Sequence, residues 1–248
     1  MAMTPTNRGS HSVIGLLLGL ILLASNSYAF VGRSEHRQSP RTSPTRQKTT
    51  ASLLSSLSSS SSSRLSVWKQ SDLDAYAATQ GVSISITTLG PAYRAVARST
   101  HNDTQILGYV EGFLRPTGNL LHLDKMEVFR VAVKRARREN PDFTGGGTVL
   151  GVGLLLGYRC LLHGQLAGKC HTAEFLAIDD EDFQHKRLVR YYKQAGFEVI
   201  KYVGEGFQDV PDRLVWGGCG TLLRKDIVTL LSFWTSLMEK SREKAAAR

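Results

Sequence analysis

Residues 172–200 read TAEFLAIDDEDFQHKRLVRYYKQAGFEVI. Thr172 to Ile178 is a short apolar run that enters an acidic turn at Asp179–Asp182, which predicts a strand. Leu188, Val189, Tyr192 and Ala195 then recur at helical spacing, and Gly196 stands where a helix ends in a left-handed cap. Phe197, Val199 and Ile200 open a second strand. The stretch is therefore strand, helix, strand, the unit of an α/β sheet.

Upstream, Val82 to Leu89 alternates apolar and polar residues and predicts a half-buried strand. Tyr93 to Ala97 is a weaker strand. Ile106–Leu114 and Leu120–Phe129, separated by the turn Pro116-Thr117-Gly118-Asn119, form an antiparallel hairpin. The alternation breaks at Asp124 and Lys125, which predicts a bulge. A basic run follows (Arg130, Lys134, Arg135, Arg137, Arg138), then Pro141 and Gly145-Gly146-Gly147. Val149 to Leu162 is apolar at helical spacing, carries Gly151, Gly153 and Gly157, and is expected to end at His163 and Gly164.

Downstream, a strand is expected at Val199–Val203 and another within Leu214–Leu223. Ile227, Leu230, Leu231, Trp234, Leu237 and Met238 form one face of an amphipathic helix. Its charged end, Glu239 to Arg248, is expected to fray. The helix could pack on the domain, self-associate, or lie on a membrane surface through residues 227–238. The predicted fold is α/β (α+β): a mixed, mostly antiparallel sheet flanked by helices, with this helix appended.

The chain has 248 residues and a net charge of +10. Residues 1–65 hold seven basic residues against Glu35, or +6, which leaves +4 for the rest. The basicity lies mainly in this leader, so a nucleic-acid partner is not implied for the folded part. Within the leader, Val13 to Ala24 is apolar, follows Arg8, and precedes small residues at Ser27 and Ala29. That is the pattern of a signal peptide over residues 1–29. Residues 30–65 carry Arg33, Arg37, Arg41, Arg46 and Lys48 among many Ser and Thr, and include the run Ser58–Ser63. Such a segment cannot bury a core. The folded part is then residues 66–226, with the terminal helix at 227–248. Cys160, Cys170 and Cys219 lack metal-ligand spacing, so no metal site is expected.

Tyr192, three residues on to Gly196 and then Phe197, resembles the YxxxGF signature of GNAT-type N-acyltransferases. The element order from about Gly81 to Leu223 is similar to that superfamily. LVRYYKQAGFEVI with LVWGGCGT looks like a group of plastid GNAT-like proteins of plants and algae. Ser27-Tyr28-Ala29-Phe30 resembles the junction of bipartite plastid presequences of diatoms and related algae. This implies import into the plastid stroma, the alternative being a secretory or membrane-anchored fate.

The resemblance implies an acetyl-CoA-dependent N-acyltransferase that acts on an amine of a protein or small molecule. The alternative is a non-catalytic module of the same fold that binds CoA or a protein. In the superfamily, the strand before a glycine turn holds the pantetheine arm, and the turn offers backbone N–H groups to the pyrophosphate at a helix start. The matching residues are Thr148, Gly151, Val152 and Gly153, with Thr148 in place of the usual Gln or Arg. These glycines could instead let a helix pack closely on a sheet. A dinucleotide loop is disfavoured, because no compact βα unit precedes it.

Acyl transfer needs a base for the amine, an oxyanion donor and an acid for the leaving thiolate. The resemblance gives the acid to Tyr192, which could equally be a packing residue. Tyr191 is expected to point about 100° away around the helix. Base candidates are Glu127, Asp124 and His122, with Glu127 nearest the expected position. The Val128 N–H would be the oxyanion donor. His185 stands where the family places a cofactor-binding Asn. The basic run could contact the CoA 3′-phosphate or an acidic partner, or be a solvated face.

Overall fold

The computed structural model describes residues 67–115, 119–148, 150–180 and 182–247. The leader, the turn residues 116–118 and Val149 lie outside the described residues. Helix α1 (Gln70–Thr79) leads into strands β1 (Val82–Leu89), β2 (Ala92–Ser99), β3 (Ile106–Arg115) and β4 (Leu120–Val128). Helices α2 (Arg130–Glu139) and α3 (Gly151–Ala167) follow, then β5 (Thr172–Ile178), α4 (Asp182–Gln194) and β6 (Glu198–Val203). Helix α5 (Val210–Trp216), β7 (Gly220–Asp226) and α6 (Ile227–Ala246) complete the described residues.

The seven strands among the described residues form one sheet in the order β1-β2-β3-β4-β5-β7-β6. All neighbours are antiparallel except β4 and β5. The mixed seven-strand sheet with flanking helices and a long terminal helix is a GNAT-like α/β fold.

The β3–β4 ladder slips by one residue: Glu111 pairs with Lys125 but Gly112 pairs with Leu123, so Asp124 is the extra residue of a bulge. This is where the alternation breaks in the sequence. Gly112 is required beside it, because a Cβ there would meet the His122 carbonyl and the Tyr93 hydroxyl. That close approach lets the Tyr93 hydroxyl donate to His122 O at 3.0 Å.

One face of the sheet carries the main core. Tyr93, Val110, Leu121, Leu123, Ala173 and Phe175 point into it, beneath α1, α3, α4 and α6. Helix α3 is packed through a glycine stripe. Cβ atoms at Gly157 and Gly164 would fall 3.0 Å from the Trp234 ring and 3.1 Å from Leu121. The expected helix end at His163 and Gly164 is corrected: α3 runs one turn further to Ala167, because Gly164 serves that contact inside the helix. The opposite face is covered near β5 and β7 by α5, whose Trp216 packs with Leu176, Val203 and Leu222.

Two other expectations change. Residues 210–216 are helical rather than the start of a strand, and β7 begins only at Gly220. The basic run is helix α2, of which only Ala136 is buried. The apolar face of α6 is spent inside the domain: Ile227, Leu230, Leu231, Trp234 and Met238 are buried, and the Trp234 indole N–H donates to Ala195 O at 2.7 Å. Its charged end remains helical to Ala246. Among the described residues no helix is long and apolar enough to cross a membrane.

Candidate active site

Parallel pairing of β4 with β5 extends only from Leu120–Thr172 to Leu123–Phe175. Beyond the bulge, β4 continues to Val128 alongside β3 while β5 continues to Ile178 alongside β7. The two strands thus part. Phe129 N–H donates to Leu107 O across β3, and adjacent strand residues alternate direction. The N–H and C=O groups of Met126 and Val128 therefore point into the opening, where no strand partner meets them. The sequence-predicted Val128 donor is on this edge.

A small apolar cavity of ≈ 20 Å³ lies on the core side of the opening, lined by Leu123, Met126, Gly153, Tyr191 and Tyr192 among others. That is room for about one water. The Tyr192 ring lies 3.6 Å from that of Phe175 and 6.0 Å from that of Phe197. Burial, followed by the neighbouring Tyr191, raises the Tyr192 pKa far above that of a free tyrosine. It therefore holds its proton, as an acid for a leaving thiolate must.

Tyr191 does not point away from the site. Its hydroxyl is 3.5 Å from Leu150 O, and a Cβ on Gly153 would lie 3.1 Å from it. It sits over the first turn of α3, and burial raises its pKa too. One helix residue thus packs on β5 while its neighbour reaches sideways to α3.

The glycine turn is folded tightly against the start of α3. Gly145, Gly146, Gly147 and Gly151 all have positive φ, a region that favours glycine. A Cβ on Gly146 would come within 2.5 Å of Gly151 C and 2.9 Å of Val152 N. The turn is held from outside by the Tyr76 hydroxyl on Gly146 O and the Ser241 hydroxyl on Gly147 O. Thr148 donates its N–H to Gly146 O, and its buried hydroxyl has no partner. Thr148, Gly151, Val152 and Gly153 thus form the α3 start, and Gly153 is the one that lines the cavity.

Glu127 lies on the other face of the sheet. It accepts from the Tyr109 hydroxyl at 3.1 Å and sits 3.6 Å from Lys125 Nζ. Asp124, in the bulge, is 3.9 Å from His122 Nε2. His122 is fully buried between the rings of Phe113 and Trp216, at 4.0 and 3.7 Å, and neither ring nitrogen has a hydrogen-bond partner. Desolvation lowers its pKa, so the ring is neutral. Beside it, Glu174 is buried and paired with Arg224.

His185 is apart from this group. Its Nε2 is 2.9 Å from Thr221 Oγ1 and its Nδ1 3.5 Å from Asp179, which also accepts from the Tyr202 hydroxyl at 2.7 Å. These contacts tie the first turns of α4 to β7. The opening therefore gathers Val128, Gly153 and Tyr192, with Glu127 on the far face and His185 elsewhere. Tyr191 and the Trp216 cover over His122 escape the sequence reading. Arg187 and Tyr191 at i,i+4 could have indicated the flank Tyr191 occupies. Nothing in LVWGG signals a cap over a histidine 94 residues earlier.

No family model and no curated protein matches the chain. Among solved structures, the spermidine N-acetyltransferase SpeG from Vibrio cholerae in complex with CoA and spermine is similar at 14% identity and a TM-score of 0.37. That match covers 57% of this chain and 69% of that one. A point mutant of the same enzyme gives 12% identity, a TM-score of 0.37, and coverage of 57% and 67%.

Proposed function

We propose that the chain is an N-acyltransferase that moves an acetyl group from acetyl-CoA to an amine of a protein or small molecule. The observation that carries this is the parted β4–β5 edge. An extended, amide-bearing pantetheine arm needs backbone partners, and Met126 and Val128 offer them beside an apolar cavity and a protonated tyrosine. The thioester would lie on the Tyr192 side of the sheet and the amine would arrive from the Glu127 side. The amine nitrogen attacks the thioester carbon, the C–S bond breaks, and Tyr192 supplies the proton to the sulfur. Glu127 takes the amine proton.

The test is thermal unfolding of the full chain with acetyl-CoA. A ligand at about 100 times its dissociation constant adds roughly 2.7 kcal/mol. No shift at millimolar acetyl-CoA refutes the reading. Given binding, thiol release should fall on Tyr192→Phe and on Glu127→Gln.

The tightness of the glycine turn and the distance of His185 from the cavity favour a second reading, a non-catalytic module of the same fold. Binding without thiol release across a panel of amines would favour it. Residues 1–65 support placing the protein in the plastid. A fluorescent fusion to those residues that stays in the secretory pathway would refute that.

A further inference from the structure

Helix α4 bears Arg187, Arg190 and Lys193, all exposed, and none of them makes an ion pair among the described residues. Arg187 stands at i,i+4 from Tyr191, so it shares the flank that faces the start of α3. Arg190 lies on the adjoining side of the same flank. Arg137 of α2 donates to Thr144 O at the glycine turn, and Arg242 of α6 stands 5.8 Å over the Trp68 ring, next to the Ser241 that grips Gly147. Arginines of three elements thus stand on α4, at the glycine turn, and beside the serine that holds that turn.

The extent of this charge bears on what it fits. From Arg187 to Lys193 this i,i+3 row rises about 9 Å and turns about 120° round the helix, away from the Tyr191 flank, a spread wider than one phosphate can engage. Meanwhile the helix start that would seat a pyrophosphate is crowded by Gly146 and by the Tyr191 hydroxyl. The site is more open to a thin arm with a broad negative surface behind it than to a compact diphosphate.

We propose that the opening also accepts its acyl group from a small acidic carrier protein, docked on the basic flank of α4 with its phosphopantetheine arm inserted between β4 and β5. This rests on the acyltransferase reading and names a second donor class for the same site. The chemistry is unchanged and redox-neutral. The amine nitrogen bonds to the acyl carbon, the C–S bond breaks, the amine loses a proton, and the arm's sulfur leaves as a thiol still attached to the carrier.

The experiment measures binding of the full chain to four probes: an acetylated acidic acyl carrier protein, the same carrier without its arm, acetyl-pantetheine, and acetyl-CoA. The acetylated carrier should bind at least tenfold more tightly than acetyl-pantetheine and than the armless carrier, and should weaken steeply with salt. The doubly substituted Arg187→Glu, Arg190→Glu chain, altered only at exposed positions, should lose at least tenfold for the carrier. It should change less than twofold for acetyl-pantetheine. A carrier that binds no better than acetyl-pantetheine, or that binds the substituted chain equally well, overturns the proposal. If acetyl-CoA binds and the carrier does not, only this inference falls. If no pantetheine thioester binds, the acyltransferase reading falls with it.

Discussion

Gly153→Ala should separate folding from ligand binding. Gly153 is buried in the first turn of α3, and its backbone is not in the left-handed region, so alanine fits without strain. Replacing a helical glycine by alanine gains roughly 0.5–1 kcal/mol. Against this, the new methyl would lie 3.1 Å from the Tyr191 hydroxyl, with Met126 Sδ at 3.7 Å and Val128 Cγ2 at 3.8 Å in ordinary contact. The crowded atom is the end of a side chain and needs to move only a few tenths of an ångström. The net effect on stability is therefore within about 1 kcal/mol, or about 2–4 °C in Tm for a domain of this size. The cavity the methyl enters has a volume of only ≈ 20 Å³, so the methyl takes most of it. In thermal unfolding, saturating acetyl-CoA should raise the Tm of the unsubstituted chain by roughly 5–10 °C, from the 2.7 kcal/mol of linkage at about 100 times Kd. The Gly153→Ala chain should melt near the unsubstituted one without ligand and show no ligand shift. A full shift in the variant would mean that the ligand does not pass between α3 and Tyr191.

Two further predictions concern the polar row across the other face of the sheet, where His122, Glu174 and Arg224 are successive ladder neighbours. Burial lowers the pKa of His122, so the unfolded chain, titrating near 6.5, binds the proton more readily. Stability should fall as pH drops below about 6.5, by at most 1.36 kcal/mol per pH unit for this residue. His122→Phe keeps a ring between Phe113 and Trp216 and should flatten that dependence between pH 7.5 and 5.5 in urea titrations. Part of the slope should remain, because His163 is shifted the same way; an unchanged slope refutes the assignment. Arg224→Met leaves the buried Glu174 carboxylate with only Arg115, 4.0 Å away. Arg224 is itself 45% exposed, so its loss leaves a buried acceptor short of one partner and costs about 1–3 kcal/mol. A midpoint loss in urea worth well under about 1 kcal/mol would show that the carboxylate is not held there by Arg224.

Much of this architecture was legible in the sequence because it rests on local pattern. The apolar run at Thr172–Ile178, the period of α4 and the turn at Gly196 each specify an element independently of the rest. The break in alternation at Asp124 marked the bulge because a one-residue insertion must disturb a period of two. What escaped depends on distant partners. Helix α1 has little apolar periodicity and is held by Leu73, Tyr76 and Ala77 reaching the core. Residues 214–216 are apolar enough for a strand, yet form a helix that ends at Gly217 in a left-handed cap. Tyr191 and Tyr192 are adjacent in sequence, and only the positions of α3 and β5 decide which of them reaches the helix start and which is locked on Phe175.

The glycines of α3 show why one motif supported two readings. Gly157 and Gly164 admit Trp234 and Leu121, which is packing, while Gly153 leaves space beneath Tyr191. Packing and site are consecutive parts of one stripe. The opening itself follows from a single residue. The bulge at Asp124 turns β4 so that its last residues follow β3, while β5 stays with β7. A sheet that would otherwise close around its one parallel pair is held open, and the exposed edge of Met126 and Val128 is the direct result. Deleting Asp124 would return β4 to strict alternation, with Glu111 still opposite Lys125 and Val110 still opposite Met126. Met126 would keep the core face and Glu127 the other, and only the bend that parts β4 from β5 would be lost.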